Sequence, residues 1–276
     1  MFGAIEAGGT KFICAYGHTH QDLKISKPIP TTDPEQTLDR VVDFFASAAL
    51  KRLGIACFGP LDIAAGRIAK LTPKLAWRDY PIVAALESRL RTQAVLDTDV
   101  NAAALAETIW GAGQKTKNLV YITVGTGIGG GVLINGQLVH GLLHPEIGHM
   151  RIRRLAKDKF RGACPVHRDC LEGMASGPAI AQRWALGSAE DLAADHPAWT
   201  LEAAYLGQMC VNLACTISPE MIVFGGGIGL RPGMVEAIRG AAELEMNGYV
   251  PLPRIARTKL RAKAGILGAL ALAQAS

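Results

Sequence analysis

The sequence lacks the features of membrane and secreted proteins. Across its 276 residues there is no run of about 18 uncharged apolar residues, so no segment is expected to span a membrane. The N-terminal residues show no basic leader followed by an apolar run, so we expect no signal peptide. Charged residues make up only 19% of the chain and apolar residues 49%, which excludes a disordered chain and predicts a sizeable packed core.

Cysteine and net charge are also sparse. Six cysteines in a chain of this length do not make a disulfide scaffold. Four of them lie in apolar segments and are expected to be buried free thiols, which favours a reducing cytoplasm: Cys14, Cys57, Cys210 and Cys215. A net charge of +5 is too small to indicate a nucleic-acid partner, although it is compatible with a phosphorylated ligand.

Glycine, by contrast, is concentrated in three turns. Two apolar runs flank residues 6–11 (Glu-Ala-Gly-Gly-Thr-Lys), which is the pattern of a hairpin, and glycines let its backbone approach a phosphate closely. The pattern returns at 125–127 (Gly-Thr-Gly), after a strand predicted at 119–124. A plain turn is the alternative for one such hairpin, but a pair suggests a duplicated architecture with a phosphate loop in each half. A third cluster, at 225–227, joins a predicted strand to a helix and is typical of a nucleotide-binding corner.

Two further loops follow predicted buried strands. Asp97 and Asp99 stand between a strand at 94–96 and a helix, where an acid can cap the helix N-terminus. Capping accounts for one of the two acids, so Asp99 is left as a candidate general base on a substrate hydroxyl. On position alone, capping and catalysis are evenly balanced. Gly59-Pro60 follows another strand, at the edge where α/β folds bind ligands.

Histidine and cysteine converge in the segment 144–172. The candidate zinc ligands are two histidines and two cysteines: His149, Cys164, His167 and Cys170. A satisfied core histidine is the alternative for His149 taken alone, but the x₂ spacings of the other three residues favour ligation. Four protein ligands leave no position for water, so such a zinc would be structural. Glu146 and Glu172 flank the set, and the metal would hold their carboxylates in place.

Together these motifs resemble the ROK family (repressors, open reading frames and sugar kinases), within the hexokinase–actin–heat-shock ATPase superfamily. The matching segments occur in family order over nearly the whole chain: 6–11, 98–104, 123–131, 146–149, the Cys/His set and 224–227. Three details resemble the fructokinase branch: Glu6 in place of Asp, the Cys-x-x-His-x-x-Cys spacing, and the segments 58–62 and 72–77. Thr98 stands where many members carry Asn, which fits a pocket for a ketose.

The resemblance implies an α/β, two-domain fold of the hexokinase/actin (ribonuclease H-like) kind, with a cleft between the domains and a zinc-binding loop. The N-terminal domain would comprise 1–117, completed by a C-terminal helix in 258–276. The C-terminal domain would comprise 118–257, with the zinc loop at 144–172. A homodimer is expected because dimers are common among similar proteins.

The resemblance also implies ATP-dependent phosphorylation of a hexose, with fructose as the acceptor at its C6 hydroxyl and Asp99 as the base. The residues expected to bind the sugar are Thr98, Glu146, Glu172, Gly59 and Pro60. Those expected to bind ATP are Gly8, Gly9, Thr10, Lys11, Gly125, Thr126, Gly127, Gly225, Gly226 and Gly227. Glu6 would help to hold Mg²⁺ through water, and the magnesium would neutralise the transferring phosphoryl group.

Several alternatives stay open at this point. The acceptor could instead be glucose, mannose or an N-acetylated amino sugar. Some ROK members are repressors, so a sugar-sensing regulator without its DNA-binding module is a second class. A zinc-ribbon module for nucleic acid is a third, and the modest charge argues against it. The expected partners are therefore a hexose and ATP, with no nucleic acid and no membrane.

Overall fold

The computed structural model of the chain describes residues 1–275 as a mixed α/β structure. Contacts group the chain into two units. Unit 1 contains residues 1–114, 138–145 and the chain from Ala262 onwards, and unit 2 contains 115–137 and 146–261. The domain limits expected at 117 and 257 stay predictions.

Unit 1 is built on a six-stranded sheet with the order β3-β2-β1-β5-β8, in which β4 also pairs with β2. Its strands are β1 (Phe2–Ala7), β2 (Lys11–Gly17), β3 (Lys24–Ile25), β4 (Ile29–Pro30), β5 (Arg52–Cys57) and β8 (Ala94–Thr98). A small separate sheet pairs β6 (Leu61–Asp62) with β7 (Arg67–Ile68). The helices are α1 (Pro34–Phe45), α2 (Ile82–Leu90), α3 (Asp99–Trp110) and α9 (Ala264–Ala275).

The sheet of unit 1 brings the predicted site segments to related strand ends. Strands β1 and β2 are antiparallel and form the first glycine hairpin, as predicted. Strands β1, β5 and β8 run parallel, so their carboxyl ends point the same way. Because ligands bind at the carboxyl ends of parallel strands, residues 6–11, the Gly59-Pro60 loop and Asp99 are well placed to form one site.

Helix α9 packs unusually close to its neighbours, which explains its small residues. A Cβ at Gly54 of β5 would overlap the carbonyl of Ala269, and a Cβ at Gly268 would overlap the backbone of Ala102 in α3. Glycine at both positions lets the backbones meet directly. The helix therefore rests against β5 and α3, the element that begins at Asp99.

Unit 2 has a five-stranded sheet with the order β11-β10-β9-β12-β13. Its strands are β9 (Leu119–Val124), β10 (Ile128–Ile134), β11 (Gln137–Leu138), β12 (Met221–Gly225) and β13 (Arg254–Arg257). Its helices are α4 (Leu171–Ala175), α5 (Gly177–Arg183), α6 (Ala198–Thr216), α7 (Gly226–Gly229) and α8 (Met234–Met246). Strands β9 and β10 form the second glycine hairpin, and β12 runs parallel to β9.

The cysteine prediction is confirmed except at one position. Cys14, Cys57 and Cys210 are free and buried, but Cys215 is exposed. Cys215 lies on α6, whose apolar composition hides which face of the helix it occupies; only the packing of the helix decides this. Within residues 1–275, no helix is long and apolar enough to cross a membrane.

Candidate active site

Asp99, the predicted base, is the first residue of α3 in unit 1 and is half-buried. The helix cap is Thr98, whose hydroxyl accepts a hydrogen bond from the Asn101 backbone at 3.1 Å. The expectation that one of the two acids caps this helix is therefore wrong. Asp99 lies in the first turn, near the positive end of the helix dipole, and its Oδ1 accepts a hydrogen bond from the Val100 N–H at 2.9 Å.

The other acid, Asp97, is buried directly behind the start of α3. Its Oδ1 accepts hydrogen bonds from the Thr98 N–H at 2.7 Å and from the Asn101 side chain at 2.9 Å. Its Oδ2 lies 2.8 Å from Nε2 of His140. Asp97 therefore fixes both the helix start and the segment 138–145, and the sequence alone assigned no role to His140.

Glu6, the predicted magnesium residue, lies at the end of β1 against the N-terminus of α9. A Cβ at Gly265 would come within 2.5 Å of its carboxyl carbon. Burial, and next the charge of Asp99, raise the pKa of Glu6 from 4.5 to about 7, against the opposing effects of Lys11 and the Ile266 N–H. These mutual influences place Glu6, Asp99 and Lys11 in one electrostatic cluster.

The first glycine hairpin is held in shape by its own backbone. The Gly8 N–H donates to the Lys11 carbonyl at 3.0 Å, and a Cβ at Gly8 would approach that carbonyl oxygen to 2.8 Å. The Thr31 hydroxyl donates to the Gly8 carbonyl at 2.8 Å. Thr10 and Lys11 are exposed at the turn, so the loop offers a hydroxyl and a cation to a ligand.

The Gly59-Pro60 loop is positioned by a second histidine of the segment 138–145. Nε2 of His144 accepts a hydrogen bond from the Leu61 N–H at 3.0 Å. A Cβ at Gly59 would come within 3.4 Å of the same imidazole ring. Sequence reasoning gave His144 no role, because nothing in its spacing connects it with a loop 83 residues away.

The second glycine hairpin lies in unit 2 and contacts Glu172, one of the residues predicted to bind the sugar. The Gly125 N–H donates to the Gly127 carbonyl at 2.9 Å. Oε2 of Glu172, in the first turn of α4, accepts from the Ile128 N–H at 2.9 Å. A Cβ at Gly127 would lie only 2.7 Å from that oxygen. Glu172 therefore braces the hairpin, whereas Glu146 is exposed and precedes the 3₁₀ turn that leads to His149.

A cavity of about 910 Å³ in unit 2 is lined by residues of the two nucleotide-binding segments predicted in this unit, including Thr126 and Gly227. Gly226, the first residue of helix α7 after strand β12, has a φ of 77°, which glycine adopts without strain. The far wall was not predicted. It includes Trp199 and Arg231, whose guanidinium lies 3.7 Å from the centroid of the indole ring. No local pattern marks either residue, because α6 and the 226–231 turn meet only in the fold.

The candidate zinc ligands come together in unit 2, with their ligand atoms all within 4.8 Å of one another: His149, Cys164, His167 and Cys170. Nδ1 of His149 lies 3.8 Å from the Cys164 sulfur and 3.6 Å from the Cys170 sulfur. Ligand atoms around a tetrahedral zinc lie about 3.3–3.8 Å apart, given bond lengths of about 2.0–2.3 Å. The two distances from His149 fall in this range, and the 4.0 Å between the Cys164 sulfur and Nδ1 of His167 lies slightly beyond it, so the set matches zinc in chemistry and closely in distance.

The turn at 164–168 explains how the ligands converge. The backbones of Cys164 and Arg168 exchange two hydrogen bonds, of 3.2 and 3.0 Å, and the His167 N–H points at the Cys164 sulfur at 3.4 Å. Cys170 then starts α4, the helix that carries Glu172. Glu172, which braces the second glycine hairpin, therefore stands two residues after the last of the candidate ligands.

Comparison with known proteins gives matches over the whole chain. The sequence model of the ROK family matches residues 2–276. A fructokinase of Zymomonas mobilis is 41% identical, covering 100% of this chain and 97% of that protein. A fructokinase of Pediococcus pentosaceus is 38% identical, covering 100% and 98%. Among solved structures, a ROK hexokinase from Thermus thermophilus has a TM-score of 0.84 at 28% identity, covering 99% of this chain and 98% of that one.

Proposed function

This chain belongs to the ROK family, and we propose that it is an ATP-dependent fructokinase, which converts fructose and ATP to fructose 6-phosphate and ADP. The observation that carries the choice of sugar is its full-length identity of 38–41% with two fructokinases. The observation that supports the chemistry is the cluster of Glu6, Asp99 and Lys11 beside a glycine hairpin in unit 1.

Asp99 is the general base in this proposal. It takes the proton of the sugar hydroxyl as the oxygen bonds to the γ-phosphorus of ATP and the bond from that phosphorus to the leaving ADP breaks. In the first turn of α3 this carboxylate is held against the backbone by the hydrogen bond from the Val100 N–H. Asp97 and its partner His140 fix the start of that helix, so they act as positioning residues.

We assign five residues to the binding of the sugar. In unit 1 these are Thr98 and the Gly59-Pro60 loop, which His144 holds in place. In unit 2 we assign Glu146 and Glu172 to sugar hydroxyls. One oxygen of Glu172 already accepts from the Ile128 N–H, and the carboxylate has a second oxygen for the ligand.

The nucleotide is bound by the glycine turns and the cavity of unit 2. We assign the phosphates to Gly8, Gly9, Thr10, Lys11, Gly125, Thr126 and Gly127, and the adenosine to Gly225, Gly226 and Gly227. Glu6 is assigned to a magnesium ion held through water. Burial and the charge of Asp99 raise the pKa of this carboxyl, and a bound cation would favour its charged form. Bound magnesium would neutralise the transferring phosphoryl group.

Zinc is assigned a structural role at His149, Cys164, His167 and Cys170. The donor set fits the metal, and four protein ligands leave no place for a reacting water. Burial is the largest cause that raises the pKa of the Cys170 thiol, to about 11, so metal binding there must release a proton. The free buried thiols fit a reducing cytoplasm, where we place the protein. A homodimer is retained as an expectation from similar proteins.

The test of the catalytic assignment is Asp99→Asn. We expect turnover of fructose to fall about 1,000-fold, because an amide cannot accept the proton. The unfolding midpoint should stay close to that of the wild type. Asp195→Asn, which changes an exposed aspartate of unit 2, is the matched control and should keep full turnover. Near-normal turnover of the Asp99 variant would remove it as the base.

A further inference from the structure

The segment 72–78 is anchored beside the first glycine hairpin by buried side chains. Trp77 is 1% exposed, its ring centroid lies 5.3 Å from that of Phe12, and its Nε1 donates to the Thr32 carbonyl at 2.8 Å. Phe12 is the second residue of β2, the strand that leaves the hairpin. Thr72 is fully buried at the start of the segment. The segment is therefore a rigid support, although it has no long regular element of its own.

This support carries Lys74 to the hairpin. A Cβ at Gly9 would lie 3.3 Å from Cε of Lys74, and no other atom outside Gly9 and its chain neighbours would lie within 4 Å of that Cβ. The Lys74 backbone is fixed at both ends, since its N–H donates to the Thr72 hydroxyl at 3.4 Å and its carbonyl accepts from Trp77 at 2.9 Å. The side chain thus lies directly over Gly9, with the ammonium one bond beyond Cε.

The ammonium of Lys74 is not neutralised by the protein. Within the described part of the chain, no carboxylate pairs with it, and the side chain is only partly buried. Gly9 has no positive φ, so glycine is not required there by the backbone conformation. What its missing side chain provides is the space that the lysine occupies. A cation beside a glycine hairpin that also carries Lys11 is suited to binding an anion.

We propose that Lys74 binds the phosphoryl group that is transferred, so that Lys11 and Lys74 hold it together at the first glycine hairpin. The inference rests on the proposed kinase function. In phosphoryl transfer the negative charge is spread over the oxygens of the moving group, and catalysis consists largely of positioning and of neutralising that charge. A lysine on a rigid support supplies this charge without reorganisation. The sugar and the adenosine are bound by other residues.

Lys74→Met separates charge from packing, because methionine keeps most of the apolar stem that covers Gly9. We expect the variant to lower kcat about 10- to 100-fold while KM for fructose changes less than about twofold. Lys74→Arg should recover part of the loss, since it restores the charge with a different shape. Lys70→Met, at an exposed lysine of the same unit, is the control and should retain wild-type kcat.

A second measurement does not depend on turnover. Calorimetric titration of the whole chain with ADP and with the β,γ-imido analogue of ATP compares ligands without and with a terminal phosphate. Lys74→Met should weaken the analogue about 10-fold and leave ADP within twofold. Equal weakening of both ligands, or no weakening of either, would overturn the proposal. If the methionine variant does not fold, Lys74→Gln is titrated in the same way and judged by the same ratio.

The two proposals fail in different ways. If the wild type binds both nucleotides but does not phosphorylate fructose, the assignment of the sugar is wrong. The effect of Lys74→Met on the affinity for the ATP analogue relative to ADP still tests the role of Lys74. If fructose is phosphorylated and the ratio is unchanged by Lys74→Met, only the assignment of Lys74 is wrong.

Discussion

Replacing Glu6 by glutamine should change how the stability of the protein depends on pH. Glu6 is partly buried, and its pKa is raised from 4.5 to about 7, with the loss of solvent around its carboxyl as the main cause and the charge of Asp99 as the next. Glutamine has the same shape, can still accept a hydrogen bond from the Ile266 N–H, and is neutral at every pH. The variant therefore removes the titration and keeps the packing against Gly265.

The stability of the wild type should fall as the pH rises, because the folded state binds a proton that the unfolded state does not. Between pH 4.5 and about 7 the folded state holds a proton on Glu6 that the unfolded state has lost. The stability that this proton provides is fully present below pH 4.5 and is lost as the pH rises through about 7. At about 1.4 kcal/mol for each pH unit the full effect is about 3 kcal/mol, of which about 2.5 kcal/mol falls between pH 5 and pH 8.

The assay is urea unfolding followed by circular dichroism at pH 5, 6, 7 and 8, without magnesium or nucleotide. The free energy of unfolding of Glu6→Gln minus that of the wild type should rise by about 2.5 kcal/mol from pH 5 to pH 8. Glu243→Gln is the control and changes an exposed carboxylate on α8 that keeps its contact with water when the chain folds. The free energy of unfolding of this variant minus that of the wild type should change little with pH. A change below about 0.5 kcal/mol for Glu6→Gln would refute the raised pKa and the cluster with Asp99.

Two further predictions concern the supports of the site. His144→Ala removes the acceptor of the Leu61 N–H beside the Gly59-Pro60 loop. In steady-state kinetics, KM for fructose should rise about 3- to 10-fold with a smaller change in kcat. An unchanged KM would contradict a role of the Gly59-Pro60 loop in binding the sugar. Protein purified without chelators should contain about one zinc per chain by metal analysis, and Cys164→Ser should lose it together with thermal stability. Wild-type protein without zinc would rule out the metal site.

Sequence reasoning succeeded where the signal is local. The two hairpins are recognisable because glycines interrupt apolar runs within about ten residues. The strand at 119–124 was predicted with the bounds that the structure gives. The clustering of the two cysteines and two histidines could be predicted because three of them stand at fixed short spacings, which a tight turn at 164–168 brings together.

What the sequence could not provide depends on contacts between distant segments. His140 and His144 act through Asp97 and Leu61, 43 and 83 residues away, and no spacing rule connects them. Lys74 reaches Gly9 only because Trp77 packs on β2. The capping error at the start of α3 had a different origin. Thr98 and Asp97 are both good caps by composition, and only the backbone geometry shows that the threonine takes this role.

The activity proposed for this ROK chain is the phosphorylation of fructose. The most direct measurement is the initial rate of ADP formation with ATP, Mg²⁺ and a panel of fructose, glucose, mannose and N-acetylated amino sugars, from which kcat/KM is obtained for each sugar. We predict that kcat/KM for fructose exceeds that for every other sugar by at least about 10-fold, and that the product carries its phosphate on C6. A higher kcat/KM for glucose or an amino sugar, or no phosphorylation of fructose, would contradict the claim.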